Sequence, residues 1–508
     1  MRWKKYNPKL YQPNRHVIPL YRFVALTVDI LMAVMVKYGY ESRHVRAING
    51  RRIQYKAGVP EMAESKTIFD TDRLIPTYFK LSLPVVFSMV ITLIYNLADT
   101  YFIAKTNDAM LVAGVSLCAP LFTALMAVGN IYGQGGSSLI SRLLGAGDRD
   151  SVRRVSAFCF YVSIVTGAVI AVPMLLLRRP MLGLLGASSE TYRYAESYYV
   201  VIVGGAPLVI LNFIHTNLIR SEGMSTLSMV GTVSGSLLNI ILDPIFISVL
   251  GWGARGAALA TVLGYTLTDV LCLIFVRRRS AALSVDVRKA RVDGGELKQI
   301  LSVGFTAAIT NLASSVCVVV MNQFLLPYGD EKIAALGIAL RVTMIVQLIL
   351  VGFSFGGVPL FGFLYGARER EKLRRLLRFC TLFLCGLALA ESLAVFLLAT
   401  PLMKVFIDNA AIIADGTVML RWHIAGMVFC AVVLLYTCLF QASGKAPQAL
   451  MMSLSRQGVL FMAVFLIATA AAGYQGFLAA QLIADVLSAV LALLLYRRMY
   501  CHDGLPTR

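Results

Sequence analysis

Four polar side chains lie inside apolar segments of the chain and could together hold a small cation. Asp99 is in the stretch YNLADTYF, Asn239 and Asp243 are in LNIILDP, and Thr261 ends the stretch GWGARGAALAT. An ionised carboxylate inside a membrane is costly unless it is paired or hydrated. Carboxylate, amide and hydroxyl groups are hard oxygen donors, which suit Na⁺ or a shared proton.

The spacing of these residues favours a common target. Asn239 and Asp243 are four residues apart, as are Tyr95 and Asp99, so each pair stacks on one face of a helix. Pro244 has no backbone N–H, so it frees a carbonyl one turn earlier and is expected to kink the helix. Two nearby carboxylates repel each other, which favours a proton or cation between them. The alternative is that these groups only make hydrogen bonds between helices.

The segments that carry these residues are long and apolar enough to cross a membrane. Of 508 residues, 58% are hydrophobic and 15% are charged, whereas soluble proteins carry about 25% charged residues. Because lipid cannot hydrogen-bond an open backbone, an all-α polytopic membrane protein is predicted. Twelve transmembrane helices are predicted, at about 78–104, 110–143, 156–177, 194–220, 224–250, 255–276, 299–325, 332–366, 379–400, 414–442, 447–471 and 475–496.

The net charge of +20 is distributed as in a membrane protein and not as in a nucleic-acid-binding protein. Of 47 Lys and Arg, 15 lie within positions 1–80, seven lie between spans 6 and 7, and six lie between spans 8 and 9. These basic segments all fall on one side of the predicted membrane. The positive-inside rule then predicts a cell-membrane protein with both termini in the cytoplasm.

The same topology places the four polar residues at similar depth. At roughly 1.5 Å per residue, Asp99, Asp243 and Thr261 lie about 8 to 10 Å below the outer ends of spans 1, 5 and 6. Asn239 lies one turn deeper than Asp243. These residues are therefore expected to share one layer in the outer half of the first six spans.

The second half of the chain repeats the first. GAGDRDSVRRV at 145–155 aligns with GAREREKLRRL at 366–376, and VRRR at 276–279 aligns with YRRM at 496–499. An even number of spans per copy makes the two copies parallel repeats. We expect two six-helix lobes at 74–276 and 299–500, a basic cytoplasmic linker at 277–298, a basic N-terminal extension at 1–73 with an interfacial helix near 17–36, and a cytoplasmic tail at 501–508.

The second copy lacks the acidic residues of the first. In the alignment of the two copies, Asp99 corresponds to Val319 or Val320, and Asp243 corresponds to Ala463 or Val464. The predicted cation site is therefore asymmetric, and the scaffold does not require it.

Other motifs do not indicate an enzyme or a metalloprotein. Nine Cys form no C-x-x-C pair and five His have no ligand spacing, so no metal beyond Na⁺ and no cofactor are expected. The glycines of YGQGGSS (132–138) are interpreted as close helix contacts, because no Lys follows them as in a phosphate loop. Since no loop could house an ATPase domain, energy must come from an ion gradient.

Further polar residues lie at or near membrane depth. Asp269, Glu391 and Asp485 are expected to pair with amides or arginines, and His215 is expected to be a packed polar residue. Asn212 could border the cation site.

The chain resembles the multidrug and toxic compound extrusion (MATE) family over about 74–500. The motifs are YNLADTYF, GAGD, IRSEGMSTLSM, LNIILDPIF and GWGARGAALAT. The resemblance implies a monomeric twelve-helix antiporter in lipid, which exports organic cations and drugs in exchange for Na⁺ or H⁺. In the DinF-like branch the cation site lies in the N-terminal lobe, and Asp99, Asn239, Asp243 and Thr261 resemble it, with Tyr95 nearby. Another branch uses acids in spans 7 and 10, and residues 299–325 and 418–442 of this chain contain no Asp or Glu.

Two other functions remain open at this point. A lipid-linked sugar flippase of the wider superfamily has similar lobes but needs a strongly basic cleft for pyrophosphate. Arg341 and Arg456 are the main intramembrane arginines available for that role. A channel or a membrane sensor would keep the fold without coupled transport.

Overall fold

Six helical spans form the N-terminal lobe in the computed structural model, which describes residues 69–502 except the side chains of 311, 312 and 500–502. The expected helix near 17–36 and the end of the chain lie outside the described residues. The spans are Leu74–Ala104 (span 1), Ala109–Leu117 with Ala119–Ala146 (span 2), Arg149–Leu176 (span 3), Tyr192–Gly204 with Ala206–Ser221 (span 4), Ser225–Asp243 with a π-helical turn Pro244–Val249 (span 5), and Gly253–Arg279 (span 6).

Six further spans form the C-terminal lobe, after a connection at 280–293. They are Gly294–Leu325 (span 7), Asp330–Gly366 (span 8), Arg370–Leu397 (span 9), Ala410–Ala425 with Met427–Ala442 (span 10), Ala446–Arg456 with the first part of Val459–His502 (span 11), and the remainder of that helix (span 12). Short helices Arg178–Leu184 and Ala399–Phe406 follow spans 3 and 9.

The last two spans are separated by a break at Gly473. The backbone there is non-helical, with φ 55° and ψ −127°. The apolar stretch Ala446–Met499 has 54 residues, about 80 Å of helix, while a bilayer core is about 30 Å thick. The stretch Ala446–Met499 therefore crosses the membrane twice. With the bent pairs of spans 4 and 10 each counted once, the described residues contain the twelve predicted spans.

The two lobes repeat each other element by element. Spans 4 and 10 are bent at corresponding places, by 53° and 45°. Four helices of the first lobe and their counterparts in the second begin the same number of residues apart. The paired first residues are Arg149 and Arg370, Arg178 and Ala399, Ala206 and Met427, and Ser225 and Ala446. The parallel repeat predicted from sequence is therefore present in the fold.

The GAGD motif is a helix end followed directly by a helix start. Gly147 adopts φ 81°, which a residue without a Cβ reaches at no steric cost, and it caps span 2. The Asp148 carboxylate then accepts a hydrogen bond from the backbone N–H of Ser151 over 3.0 Å and caps span 3. This is the local reason for the sharp reversal between the two spans.

The lobes contact each other at the end of the bundle that holds the Arg-rich connections 145–149, 280–293 and 366–370, which we call the basic end. A Cβ on Gly135 of span 2 would collide with the carbonyl of Ile300 in span 7, and one on Gly304 would collide with the carbonyl of Ile131. The Tyr78 hydroxyl also donates to the carbonyl of Phe353 over 3.1 Å. The glycines of YGQGGSS are thus close helix contacts, as predicted.

Buried hydrogen bonds tie the inter-lobe connection to the N-terminal lobe. Glu222, only 1% exposed, accepts from the Ser280 hydroxyl and from the backbone N–H groups of Ala281 and Ala282, the latter two over 2.9 and 2.8 Å. An ionised carboxylate has only acceptor sites and can satisfy several donors at once. The connection therefore begins in a fixed position.

Candidate functional site

Asn239 and Asp243 face the interior of the N-terminal lobe from one side of span 5. They are 2% and 0% exposed. With its amide oriented to satisfy both neighbours, Asn239 donates to Asp243 Oδ2 over 3.2 Å and accepts from the backbone N–H of Thr261 over 3.1 Å. Spans 5 and 6 come this close because Gly235 and Gly264 face each other between them.

Asp99 completes the cluster from span 1. Its carboxyl group lies within hydrogen-bonding reach of the Asp243 carboxyl group, and its Oδ1 is buried with no hydrogen-bond partner among the described residues. One turn earlier, the Tyr95 hydroxyl lies 3.2 Å from the Tyr265 hydroxyl of span 6. Asp99, Asn239, Asp243 and Thr261 thus come together, with Tyr95 beside them.

Tyr265 is a member of this site that sequence reasoning missed. It follows Thr261 by four residues and so lies on the same face of span 6. That spacing is the signal that could have identified it.

The helical structure of span 5 does not break at Pro244. The chain continues through Pro244–Val249 as a π-helical turn, in which the N–H of Leu250 donates to the carbonyl of Ile245 over 2.8 Å. A π turn inserts one extra residue into the helix, and such turns are frequent at functional sites. Here it directly follows Asp243.

The two carboxylates have no cationic side chain as a partner. None of the ion pairs among the described residues includes Asp99 or Asp243. Two other buried carboxylates of the membrane-spanning part lie beside a basic side chain, since Asp269 lies 3.4 Å from His215 Nδ1 and Asp485 lies 3.0 Å from Arg456 Nε. The cluster therefore differs from these two acids in lacking a basic side chain as a partner.

A cavity of about 320 Å³ lies beside the cluster. Asn239, Thr261 and Tyr95 reach its wall, and so does Asn212. Its residues come mainly from the N-terminal lobe, and span 8 adds Val351 and Phe355.

A second cavity, of about 290 Å³, lies on the side of the C-terminal lobe. Asn130, Gln134, Val351 and Phe355 line both cavities, so the two are adjacent parts of one cleft between the lobes. Arg456 of span 11 lines the second part.

The remaining polar residues of the spans fall into three situations. Asp485 pairs with Arg456 and accepts from Gln481 Nε2 over 3.1 Å, which agrees with the expected amide or arginine partners. Asp269 lies 3.4 Å from His215 Nδ1, and this imidazole also packs on the ring of Phe160 at a centroid distance of 5.0 Å. Glu391 Oε2 is buried without a hydrogen-bond partner in the described part of the chain, contrary to the expected pairing.

No group of three or more His, Cys, Asp or Glu side chains that could hold a metal ion occurs among the described residues. The eight described cysteines are all free thiols. The cluster around Asp243 consists of carboxylate, amide and hydroxyl groups, which are hard oxygen donors.

The MatE family model matches the chain twice, at residues 84–245 and 306–467. The chain belongs to the MatE family. Each match covers most of one lobe, which confirms the internal repeat. The MATE resemblance of the sequence motifs is confirmed as well, while the assignment to the DinF-like branch stays a prediction.

Individual MATE relatives are similar over nearly the whole bundle. The multidrug export protein MepA of Staphylococcus saprophyticus is 30% identical over 414 residues, which cover 82% of this chain and 91% of that protein. A crystal structure of MATE in complex with MaD3S is 26% identical, covers 85% of this chain and 99% of that chain, and has a TM-score of 0.80. The outward-facing conformation of a multidrug resistance MATE family transporter of the MOP superfamily is 27% identical, with coverages of 84% and 96% and a TM-score of 0.79.

These relatives fix the broad class of the protein. The chain is a multi-pass cell-membrane transporter with the two-lobed MATE fold, and it is not an enzyme.

Proposed function

We propose that this MATE protein is a secondary active antiporter, which exports organic cations and drugs in exchange for Na⁺ or H⁺. The observation that carries the proposal is the buried pair Asp99 and Asp243, which has neutral oxygens from Asn239 and Thr261 beside it and no resident cationic partner in the described structure. Two carboxylates in a low-dielectric site need a positive charge to be stable. An exchangeable cation supplies that charge.

The neutral groups of the cluster are suited to this role. Asn239 and Thr261 offer oxygens to Na⁺, while the two carboxyl groups are sufficient for a proton. Asn239 contacts both Asp243 and span 6 and also lines the cavity. A cation bound at the two acids and an organic cation in the cavity would therefore lie on either side of the Asn239 amide and repel each other. This mutual repulsion is the basis of exchange.

Alternating access accounts for the arrangement of the lobes. The close glycine contacts join spans 2 and 7 at the basic end, and the positive-inside rule assigns that end and both termini to the cytoplasm. In the proposed cycle these contacts separate while the opposite end closes, as two parallel repeats rock against each other. The transporter works as a monomer in lipid, without a cofactor.

Export of drugs is proposed because relatives of the chain are multidrug export proteins. A flippase for lipid-linked sugars would need a strongly basic cleft. In the described part of the cleft only Arg220 and Arg456 carry a fixed positive charge, and Arg341 is exposed and lines neither cavity.

Uptake of the fluorescent cation ethidium into everted membrane vesicles tests the proposal. We expect accumulation that requires an imposed Na⁺ or pH gradient and collapses when the gradient is dissipated. A channel would move the dye only down its own gradient, and a flippase or sensor would not move it. Absence of gradient-dependent dye movement under both gradients would contradict the antiport function.

A further inference from the structure

Arg456 lies in the C-terminal lobe, one helical turn before the position that corresponds to Asn239 of the cation cluster. Ser225 and Ala446 are the first residues of corresponding helices, and Gly235 and Arg456 are separated by the same number of residues as these two. Gly235 lines the N-terminal cavity one turn before Asn239, and Arg456 lines the C-terminal cavity. The N-terminal cavity thus borders the acidic cluster through Asn239 and Thr261 and is also lined by Arg220, whereas the C-terminal cavity is lined by Arg456.

The guanidinium of Arg456 is positioned by one hydrogen bond to Asp485, and its other N–H groups can donate to a ligand. Its Nε donates to Asp485 Oδ1 over 3.0 Å, and Gln481 Nε2 donates to the same oxygen over 3.1 Å. Asp485 is 1% exposed, whereas Arg456 is 9% exposed and reaches the cavity wall. Because arginine has five N–H donors, one contact to Asp485 through Nε leaves the Nη edge, which matches a carboxylate.

Span 11 is interrupted at this position. Its first helix, Ala446–Arg456, ends at the arginine, and the backbone leaves helical geometry at Gln457, with φ −133° and ψ 43°. The corresponding span 5 is an unbroken helix from Ser225 to Asp243. Irregular backbone at membrane depth is tolerated where it is covered by protein or lines a cavity, and in transporters it marks binding sites.

The lining of the C-terminal cavity suits a negatively charged group. Its described residues include no Asp or Glu, and besides Arg456 they include the neutral polar side chains of Ser314, Gln347, Thr437 and Ser453. Cys430 and His423 are the other titratable groups close to Arg456 in the described structure, apart from its partner Asp485. The site thus holds a paired cation without a competing free anion.

We propose that the C-terminal cavity is a carboxylate-binding subsite, in which Arg456 binds the carboxylate of zwitterionic, amphipathic substrates. The cationic group of the same molecule then lies in the N-terminal part of the cleft, toward Asp99 and Asp243. This inference rests on the proposed export of organic cations and narrows its substrate class. Arginine and carboxylate form two parallel hydrogen bonds, which gives the subsite preference for a planar acid over its ester.

Equilibrium binding of two matched dyes tests this proposal. Rhodamine B carries a cationic xanthene and a carboxylate, and rhodamine B methyl ester carries only the cation. Fluorescence anisotropy titrations of the purified full chain should show Arg456→Gln weakening the binding of rhodamine B by roughly tenfold or more, as expected for loss of a desolvated charge pair. The ester should change by less than about twofold, since it never engages the guanidinium.

Further variants keep the outcome decisive. If Arg456→Gln fails to fold because Asp485 loses its partner, the double variant Arg456→Gln/Asp485→Asn removes both charges and should show the same acid-selective loss. Equal weakening of both dyes would mean that Arg456 only supports the fold. If Arg220→Gln, and not Arg456→Gln, weakened the binding of rhodamine B but not of its ester, the anion site would lie at the other cleft arginine. Each of these two results would overturn the proposal. If the antiport proposal is wrong, transport of the ester will not depend on an imposed Na⁺ or pH gradient, while acid-selective binding will persist. The two proposals can therefore fail separately.

Discussion

The side-chain amide of Asn239 donates to the carboxylate of Asp243 over 3.2 Å, one helical turn along span 5. The amide oxygen is used at the same time, by the backbone of Thr261. Asp243 is thus held in position by a neutral group, while its charge is balanced by none of the described side chains. Fixed geometry with unbalanced charge is the condition for a site that a mobile cation enters and leaves.

Removing either negative charge should abolish coupled transport. Asp99→Asn and Asp243→Asn keep the size of the side chain and much of its hydrogen bonding but lose the charge that attracts the exchanging cation. Gradient-driven ethidium transport should fall to the level of empty vesicles in both variants, while immunoblots and gel filtration show normal amounts of folded protein.

Glu391→Gln is the matched control for these variants. It makes the same carboxylate-to-amide change in span 9, at a residue that lines neither described cavity of the cleft. Its transport should stay within about twofold of the unmodified protein. Normal transport by Asp243→Asn, or loss only in Glu391→Gln, would contradict the assigned site.

The identity of the coupling cation should be visible in drug binding. Whatever binds at the acids and weakens drug affinity must itself be weakened by the drug to the same extent. If the cation is Na⁺, titrating NaCl against KCl at constant ionic strength should weaken ethidium binding, and Asn239→Ala should reduce that shift because an oxygen ligand is lost.

Coupling to protons predicts a different pattern. Na⁺ then has no more effect than K⁺, and adding the drug to weakly buffered protein releases protons, which a pH indicator records. Asp99→Asn and Asp243→Asn should each reduce that release. An isotherm that neither Na⁺ nor pH displaces would leave the cluster with a purely structural role.

The glycine contacts between spans 2 and 7 should be intolerant of a methyl group. Gly304→Ala and Gly135→Ala each direct a Cβ at a backbone carbonyl of the opposite lobe, so the helices must separate at a cost of about 1–3 kcal/mol. We expect a lower apparent Tm in a thiol-reactive dye assay.

Gly386→Ala supplies the comparison, since a Cβ on this helical glycine of span 9 meets no atom within 4 Å. The substitution should raise the apparent Tm or leave it unchanged, because alanine favours helix by about 1 kcal/mol over glycine. Equal destabilisation by Gly386→Ala and Gly304→Ala would show that the inter-lobe contact is not the cause.

Glu222→Gln should loosen the connection between the lobes. Glutamine places an NH₂ group where the carboxylate accepts hydrogen bonds from Ser280 and the two following backbone N–H groups. Each donor left unsatisfied costs about 1–3 kcal/mol. Trypsin should cleave the 280–293 connection faster than in the unmodified protein, whereas Glu190→Gln, at an exposed loop position, should not alter cleavage.

Much of the architecture follows from the sequence because membrane spans obey strong local rules. Long apolar segments, the GAGD turn and the constant shift between matching motifs were sufficient to predict twelve spans in two parallel lobes. The i, i+4 spacing of Asn239 and Asp243 was likewise sufficient to place both side chains on one face, since that relation is internal to a helix.

Relations between spans were less accessible. The contact of Asn239 with Thr261 depends on how closely spans 5 and 6 approach at Gly235 and Gly264, and no helical periodicity encodes that distance. For the same reason the pairing of Asp269 with His215 was missed, although each residue was noticed separately. The role of Arg456 becomes visible only when the cavity and the break after it are known.

The single acidic cluster also limits the energetics of a transport cycle. Two carboxyl groups can carry at most two protons, or hold one Na⁺, and the described part of the other lobe has no second unpaired acid pair to add to this. Exchange of one Na⁺ for one monovalent drug would move no net charge and would be indifferent to membrane voltage. Exchange of two protons for the same drug would move one charge inward, adding about 2.3 kcal/mol per 100 mV to the driving force. The stoichiometry permitted by one asymmetric site therefore determines whether this transporter can use the electrical part of the membrane gradient.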